Sequence, residues 1–472
     1  MTKIQNKSEE FLQNIKMIIV GLMVAVFIFS LNGTITSTAM PSIIASIGDM
    51  KDYVWPFTIY FATLSVSMML SGKLSDYYSE KKIIISAIAL FIISSALCGL
   101  SHNMPELILF RGIQGFAGGL LMMIPLKLAG EMLPTGKRSM VIGIFSSVSA
   151  ISTIVGPTVG GFITDTLGWN WVFFVNVPIG AVAMVLLWKY LPDMGKDITQ
   201  KIFDYKGLIT YIISLGTLLL ALTFIQQNVN TGMLTLIALF ACAAVMLLAF
   251  VWAEKNAREP LLPLHLFKNN IFTISAVSMF LIGTLMISST TYIPLFLQKV
   301  QGMTASAAGI FIAPLFISVT VMSILGGKIL EKTGRYKIMA LSSFIFFILG
   351  MGLLSTMTLT TSNLEVVIYS ILIGIGLGLS ILIFTVISQS AVEKQDLGVV
   401  TGSIQLSRML GNVLGLTVLG VIVNMTLGVA SASSQVSPVL LNNALHNVFF
   451  AGLIIGVAGF IMCLLLKETE LD

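Results

Sequence analysis

The chain has 472 residues, 56% of them apolar and only 10% charged, and its mean hydropathy of +0.97 excludes a protein that must keep a soluble surface hydrated. The formal charge of +5 does not mark a nucleic-acid binder, because that reading needs basic residues gathered on one soluble face, and here they sit in short loops between apolar runs. What remains is an all-α polytopic membrane protein whose apolar exterior is solvated by lipid.

Lys3, Lys7 and Lys16 precede the first apolar run, but no small-residue cleavage site follows it and further spans do, so this span is expected to be retained. A bilayer core needs roughly 20 helical residues whose backbone satisfies its own hydrogen bonds. That template predicts fourteen spans, the first eight over 15–37, 53–74, 82–100, 106–130, 139–163, 170–190, 207–225 and 232–252. The other six cover 271–297, 306–329, 337–357, 365–388, 402–427 and 446–466. With both termini inside, the inner loops and ends hold 21 of the 26 Lys and Arg residues, the outer loops hold Lys51 and Lys299, and Arg111, Lys127 and Arg408 fall within spans. The excess of inner cations predicts a multi-pass cell-membrane protein with cytoplasmic termini.

The first span ends in SLNGTITSTAMPSI (Ser30–Ile43), rich in hydroxyls and devoid of carboxylate. Asn32 and Thr36 are read as offering hydrogen bonds toward a polar pathway. In the fourth span, Arg111 is costly unless it finds partners or water, and is read either as a structural donor or, with Gln114 one turn on, as lining a cavity. Lys127 lies 16 residues from Arg111, about 160° around an ideal helix. It is therefore expected to snorkel at the inner margin near Glu131, with Pro125 able to bend the helix. In the thirteenth span, Gln405, Arg408 and Asn412 share one helix face and are expected to look toward protein or water. No acid stands at mid-span. The nearest proton-coupling candidates are Glu365 at the outer start of the twelfth span, Asp165 in the outer loop after the fifth, and Glu131 inside.

Cys98, Cys242 and Cys463 lie far apart within apolar runs, a pattern of packing residues and not of a disulfide or metal framework. No HExxH, GxSxG or His/Cys ligand cluster occurs, and EMLPTGKR (Glu131–Arg138) lacks the glycine and hydroxyl of a phosphate loop. An enzyme is not expected, nor a cofactor or metal.

The chain repeats itself. GKLSDYYSEKK (Gly72–Lys82) aligns without gaps on GKILEKTGRYK (Gly327–Lys337), pairing Asp76 with Glu331 and Lys82 with Lys337, at an offset of 255. Gly143, Ser152 and Gly156 match Gly402, Gly411 and Gly415 at an offset of 259. Two six-helix halves need only about 200 residues each, so the seventh and eighth spans are additions between them. The expected division is 1–190, a linker with two added helices over 191–269, and 270–472.

These motifs resemble the major facilitator superfamily, and in particular its fourteen-span drug:proton antiporter branch, over nearly the whole chain. The likeness rests on GKLSDYYSEKK, on RGIQGFAGG (Arg111–Gly119), and on Gly143 and Ser152 followed by GPTVGG (Gly156–Gly161, with Pro157 and Gly160). Further support comes from GWNWVFFVNVPIG (Gly168–Gly180), DYKG (Asp204–Gly207), EPLLPLHLFKNN (Glu259–Asn270) and YIPLFLQKVQG (Tyr292–Gly302). The resemblance implies the major facilitator fold, two pseudo-symmetric bundles around a cavity exposed alternately to each side. It also implies a cytoplasmic gate at Gly72, Asp76, Lys82, Glu331, Gly334 and Arg335. Export of a small amphipathic compound in exchange for protons, by a monomer in the lipid bilayer with no nucleic-acid partner, is the expected activity.

Two departures stand out. LNGTITSTAMP carries Asn32 where the family typically has Asp, and an amide neither exchanges a proton nor attracts a cation as a carboxylate does. Tyr77, Ser79 and Glu80 replace the usual Arg, Gly and Arg of the first gating loop, so gating charge is expected mainly on the second copy. The alternatives are an uncoupled facilitator or lipid or metabolite exporter, and a non-transporting receptor or scaffold.

Overall fold

A computed structural model describes residues 2–132, 135–193, 204–226, 232–257, 260–262, 264–392, 397–428, 431, 433 and 436–466; within these, the side chains of 2–13, 76, 130–132, 135–139 and 142 are not described. Its helices are α1 (Thr2–Ile47), α2 (Trp55–Tyr77), α3 (Glu80–Gly99), α4 (Met104–Met132), α5 (Thr135–Thr166), α6 (Trp171–Phe174), α7 (Asn176–Tyr190) and α8 (Tyr205–Gln226). They continue with α9 (Met233–Asn256), α10 (Asn270–Leu295), α11 (Ala305–Thr333), α12 (Tyr336–Ser355), α13 (Asn363–Ser390), α14 (Leu397–Leu427) and α15 (Pro438–Leu464). Among the described residues, fourteen helical segments are long and apolar enough to cross a membrane, with α6 and α7 together forming one of them.

Three boundaries differ from the expected spans. α1 runs on through the polar stretch to Ile47, so SLNGTITSTAMPSI is helix interior and not a terminus. The helix tolerates it because its hydroxyls bond back to their own backbone: Thr34 donates to Leu31 O, Thr36 to Asn32 O, Ser37 to Thr34 O and Thr38 to Ile35 O. α5 continues to Thr166, placing Asp165 in its last turn and not in a loop. α10 closes with one wide π-type turn over Phe296–Val300.

The short connections force neighbouring spans to run antiparallel, giving the bundle a near face, which holds the turns at Tyr78 and Gly334, and a far face, which holds those at Asp49, Leu167 and Gln301. In the first half α1 packs on α5 and α7, α2 on α4, and α3 on α4 and α7. In the second half α10 packs on α14, α11 on α13, and α12 on α13 and α15. The halves meet along α5–α11 and α2–α14, while α8 and α9 pair with each other and α8 also touches α14. Leu234, Leu248 and Trp252 of α9 are exposed outward, as expected of an added helix bathed in lipid.

Candidate functional site

The polar core of the first half is built on α4, whose glycines let α2 come close: a Cβ on Gly115 would stand 2.2 Å from Tyr60 O, and one on Gly119 2.6 Å from Leu64 O. That approach sets Tyr60 beside Arg111, whose guanidinium lies 4.1 Å from the ring centroid. Arg111 is 1% exposed and donates through Nη1 to Gln114 Oε1 at 2.6 Å and through Nε to Pro56 O at 3.3 Å. Gln114 Nε2 in turn donates to Ser95 Oγ on α3 at 2.6 Å. Among the described residues Arg111 forms no ion pair; dipoles and a ring face solvate its charge.

Asn32 joins this core from α1, accepting from Asn176 Nδ2 of α7 at 3.5 Å. Asn32, Tyr60 and Asn176 are all buried in this core, so their polar groups face one another and not solvent. Thr36 is buried, and its proton goes to the Asn32 carbonyl. Tyr60, Ser95 and Asn176 were not singled out from the sequence, although Asn176 lies within GWNWVFFVNVPIG.

In the second half Arg408 is less enclosed. Its Nε donates to Gln405 Oε1 at 3.0 Å and its Nη1 reaches Met286 Sδ at 3.6 Å. Asn412 is 2% exposed, its Nδ2 lies 3.7 Å from Met409 Sδ, and its Oδ1 is unpartnered. The structure thus brings Gln405 and Arg408 together and leaves Asn412 one turn deeper.

The matched glycines do equivalent work. A Cβ on Gly156 would fall 2.0 Å from Thr34 Oγ1 and one on Gly160 2.6 Å from Ile35 O, seating α5 against α1. In the other half Gly411 meets Phe280 O at 1.9 Å and Gly415 meets Thr284 Oγ1 at 2.5 Å, seating α14 against α10. Between the halves, Gly161 faces Ala305 O, and Gly309 faces Pro157 O, each at 2.2 Å. Among the described residues, no atom of another element lies within 4 Å of the corresponding point at Gly143 or Gly402, although they too match by sequence.

The far face carries the connections between halves. Asp165 accepts from Ala305 N at 3.1 Å and from Ser306 N at 2.7 Å, placing a carboxylate at the positive end of α11, and Ser306 Oγ donates to it as well. Tyr53 Oη donates to Thr291 O at 2.9 Å, Gln298 Nε2 to Thr38 O at 2.9 Å, and Asn424 Nδ2 to Lys51 O at 3.3 Å. These contacts tie the two halves together at the far face.

At the near face the two copies of the repeated loop differ. Gly334 adopts φ +63° and caps α11, the left-handed turn that glycine permits, while Glu331 and Arg335 are exposed. Its counterpart Ser79 has φ −66° and ψ 143°, an extended backbone that any residue adopts. Gly72 and Lys82 are exposed, and the Asp76 side chain lies outside the described residues. Lys127 donates to Ser75 Oγ and lies 3.6 Å from Glu80, a buried acid at the start of α3. The partner found is therefore Glu80; the Glu131 side chain is not described. Glu365 is exposed and closes a capping box, accepting from Ser362 N at 2.7 Å.

A groove of about 910 Å³ bounded by Ile59, Thr63, Leu109 and Gly112 lies between α2 and α4. Leu109 is 62% exposed on the outer surface, so this groove opens toward lipid and is separate from the Arg111–Asn32 core.

The sequence profile of the Major Facilitator Superfamily matches residues 22–416. The chain is 32% identical to the Multidrug transporter protein MdtP of Bacillus subtilis, over 97% of this chain and 94% of that protein. It is 33% identical to Multidrug resistance protein 3 of the same organism, over 86% of this chain and 79% of the relative. Among solved structures it superposes on a D-xylose-proton symporter with a TM-score of 0.67 at 14% identity, covering 97% of this chain and 99% of that one. A mutant of the nucleoside transporter NupG gives 0.66 at 14% identity, covering 95% and 99%.

Proposed function

The chain belongs to the Major Facilitator Superfamily of membrane transporters, and from that premise we propose that it exports small amphipathic compounds by alternating access, in exchange for protons. The observation that carries the reading is the contrast between a far face joined through Asp165, Gly161 and Gly309 and matched near-face glycines, Gly143 and Gly402, against which no described residue packs. One side is closed while the other has room, as an exporter waiting for cytoplasmic solute requires. The near face is assigned to the cytoplasm because the inner loops and ends hold 21 of the 26 basic residues. The substrate class follows the two Bacillus subtilis relatives, both named for multidrug transport or resistance.

The core narrows that class. Arg111 and Arg408 bring positive charge to the pathway, and Asn32 brings none of the negative charge that would draw cations. Neutral, zwitterionic and anionic amphiphiles are favoured over permanent dications. The chain is taken to work as a monomer, with Asn32, Arg111, Gln114, Gln405, Arg408 and Asn412 facing the solute. A substrate panel in a pump-deficient host tests this: protection against neutral and anionic compounds is expected, with transport abolished by Arg111→Ala at unchanged membrane insertion. Strong protection against dications alone would contradict it.

One observation favours a second reading. Asn32 cannot carry a proton, and Glu365 and Asp165 already serve as caps at helix starts, which fits an uncoupled facilitator.

A further inference from the structure

The two added helices hold a pair of carboxyl groups to which neither the gate nor the polar core assigns a task. Asp204 precedes α8 and accepts from Gly207 N through Oδ1 at 2.9 Å. Glu254, in the last turn of α9 and 3% exposed, accepts from Leu262 N through Oε2 at 2.9 Å. Each acid thus spends one oxygen on a backbone amide. Among the described residues the remaining two, Asp204 Oδ2 and Glu254 Oε1, are buried without a hydrogen-bond partner.

Both spare oxygens converge above Gly207. They lie 2.4 Å and 2.6 Å from the point a Cβ on that residue would occupy, so they stand no farther apart than the sum of those distances, 5.0 Å. Only glycine leaves the gap open. Two carboxylates this close, out of water, cannot both stay ionised at low cost, and one proton held between them removes the repulsion and supplies the missing hydrogen bond. The DYKG and EPLLPL stretches acquire a physical reason here: the first provides Asp204 and the gap at Gly207, the second the amide that orients Glu254.

We infer that Asp204 and Glu254 form a proton-binding site on the added helices, the protonated carboxyl of one donating to the spare oxygen of the other. Proton uptake from solution is the whole step; no bond other than O–H forms or breaks. Among the described residues the charge that faces the pair is Lys73 of α2, within the GKLSDYYSEKK loop motif, and it attracts the ionised form. Lys206 and Lys255, next in the chain on α8 and α9, are exposed, as are His265 and Lys268 in the turn that follows. Filling the site neutralises a charge opposite Lys73 and so links the state of the added helices to α2. As a site it stands by itself; its use in driving export rests on the proton-coupled reading above.

The test is infrared difference spectroscopy of the full-length protein in lipid vesicles across a pH titration. A protonated-carboxyl carbonyl band that titrates is expected in the unaltered protein, retained in Glu365→Gln and lost in both Glu254→Gln and Asp204→Asn, which preserve shape and the backbone hydrogen bonds. Lys73→Gln leaves the pair intact, and removing its attraction for the ionised form moves the midpoint to higher pH, about tenfold or less in proton concentration. A band that survives both carboxyl substitutions, or its absence from a protein in which sodium or potassium instead alters the ionised-carboxylate bands, overturns the proposal. Substrate counterflow against proton-driven accumulation separates the two claims. Glu254→Gln keeping the first and losing the second makes the pair the coupling site. An unaltered protein with no proton-driven accumulation ends the antiport reading and leaves the binding site to be judged on its band.

Discussion

The far and near ends of the bundle use the same residue type to opposite effect. At the far end Gly161 and Gly309 bring α5 and α11 together backbone to backbone, so close that a Cβ on either would stand 2.2 Å from a carbonyl oxygen of the other half. At the near end Gly143 and Gly402, alike in sequence and matched by the repeat, have no described residue packed against them. The difference shows that a small residue in a membrane helix is permission and not contact. On the proposed alternating cycle, the glycines in use would change with the side that is closed, and both sets would be needed.

Breaking the closed seam gives the largest expected effect. Gly309→Leu places a bulky side chain against the Pro157 carbonyl, which cannot yield as a flexible side chain would, and overpacking of this kind costs about 1–3 kcal/mol or more. Transport falls to background while the protein still inserts, and a cysteine placed at Thr38 becomes reactive to a membrane-impermeant thiol reagent from the far side. Wild-type transport by Gly309→Leu would mean that the seam plays no part in the cycle.

Asp165→Asn acts on the same seam more gently. It removes the anion at the start of α11 while keeping a hydrogen-bond acceptor, a change worth roughly 0.3–1 kcal/mol at an exposed helix end. A two- to fivefold shift toward far-side labelling at the same cysteine is expected, with transport reduced and not abolished. Gly143→Ala and Gly402→Ala sit at the bottom of the scale. With no atom near the added methyl in this state, thermal stability should change by less than about 0.5 kcal/mol. Any loss of transport then reports packing in the opposite state, measured as a slower return step in counterflow.

Much of this molecule was legible from its residues because lipid asks for so simple a pattern. Each span reads as a long, mostly apolar helix, and the repeat located Gly156 and Gly415, which meet Thr34 and Thr284 hydroxyls in the two halves. Long-range partners were not legible. Glu131, one turn from Lys127, was the partner visible by spacing, and its side chain lies outside the described residues; the packing of α3 on α4 brings in Glu80, which spacing could not show. The hydroxyls after Asn32 read as pathway donors, yet in a helix interior they bond to carbonyls three or four residues back. Asp165 read as a loop residue because helix ends have no sharp apolar signal. Nothing in their spacing pairs Asp204 with Glu254; folding alone brings them over Gly207.

The central claim is coupled export, and proteoliposomes test it directly. With the near face of the purified protein outward and a pH dye in the lumen, an accepted substrate added outside is carried in as protons leave. The account predicts a lumen that turns alkaline in step with substrate uptake. Confirmed uptake with a silent dye would contradict it and leave a facilitator.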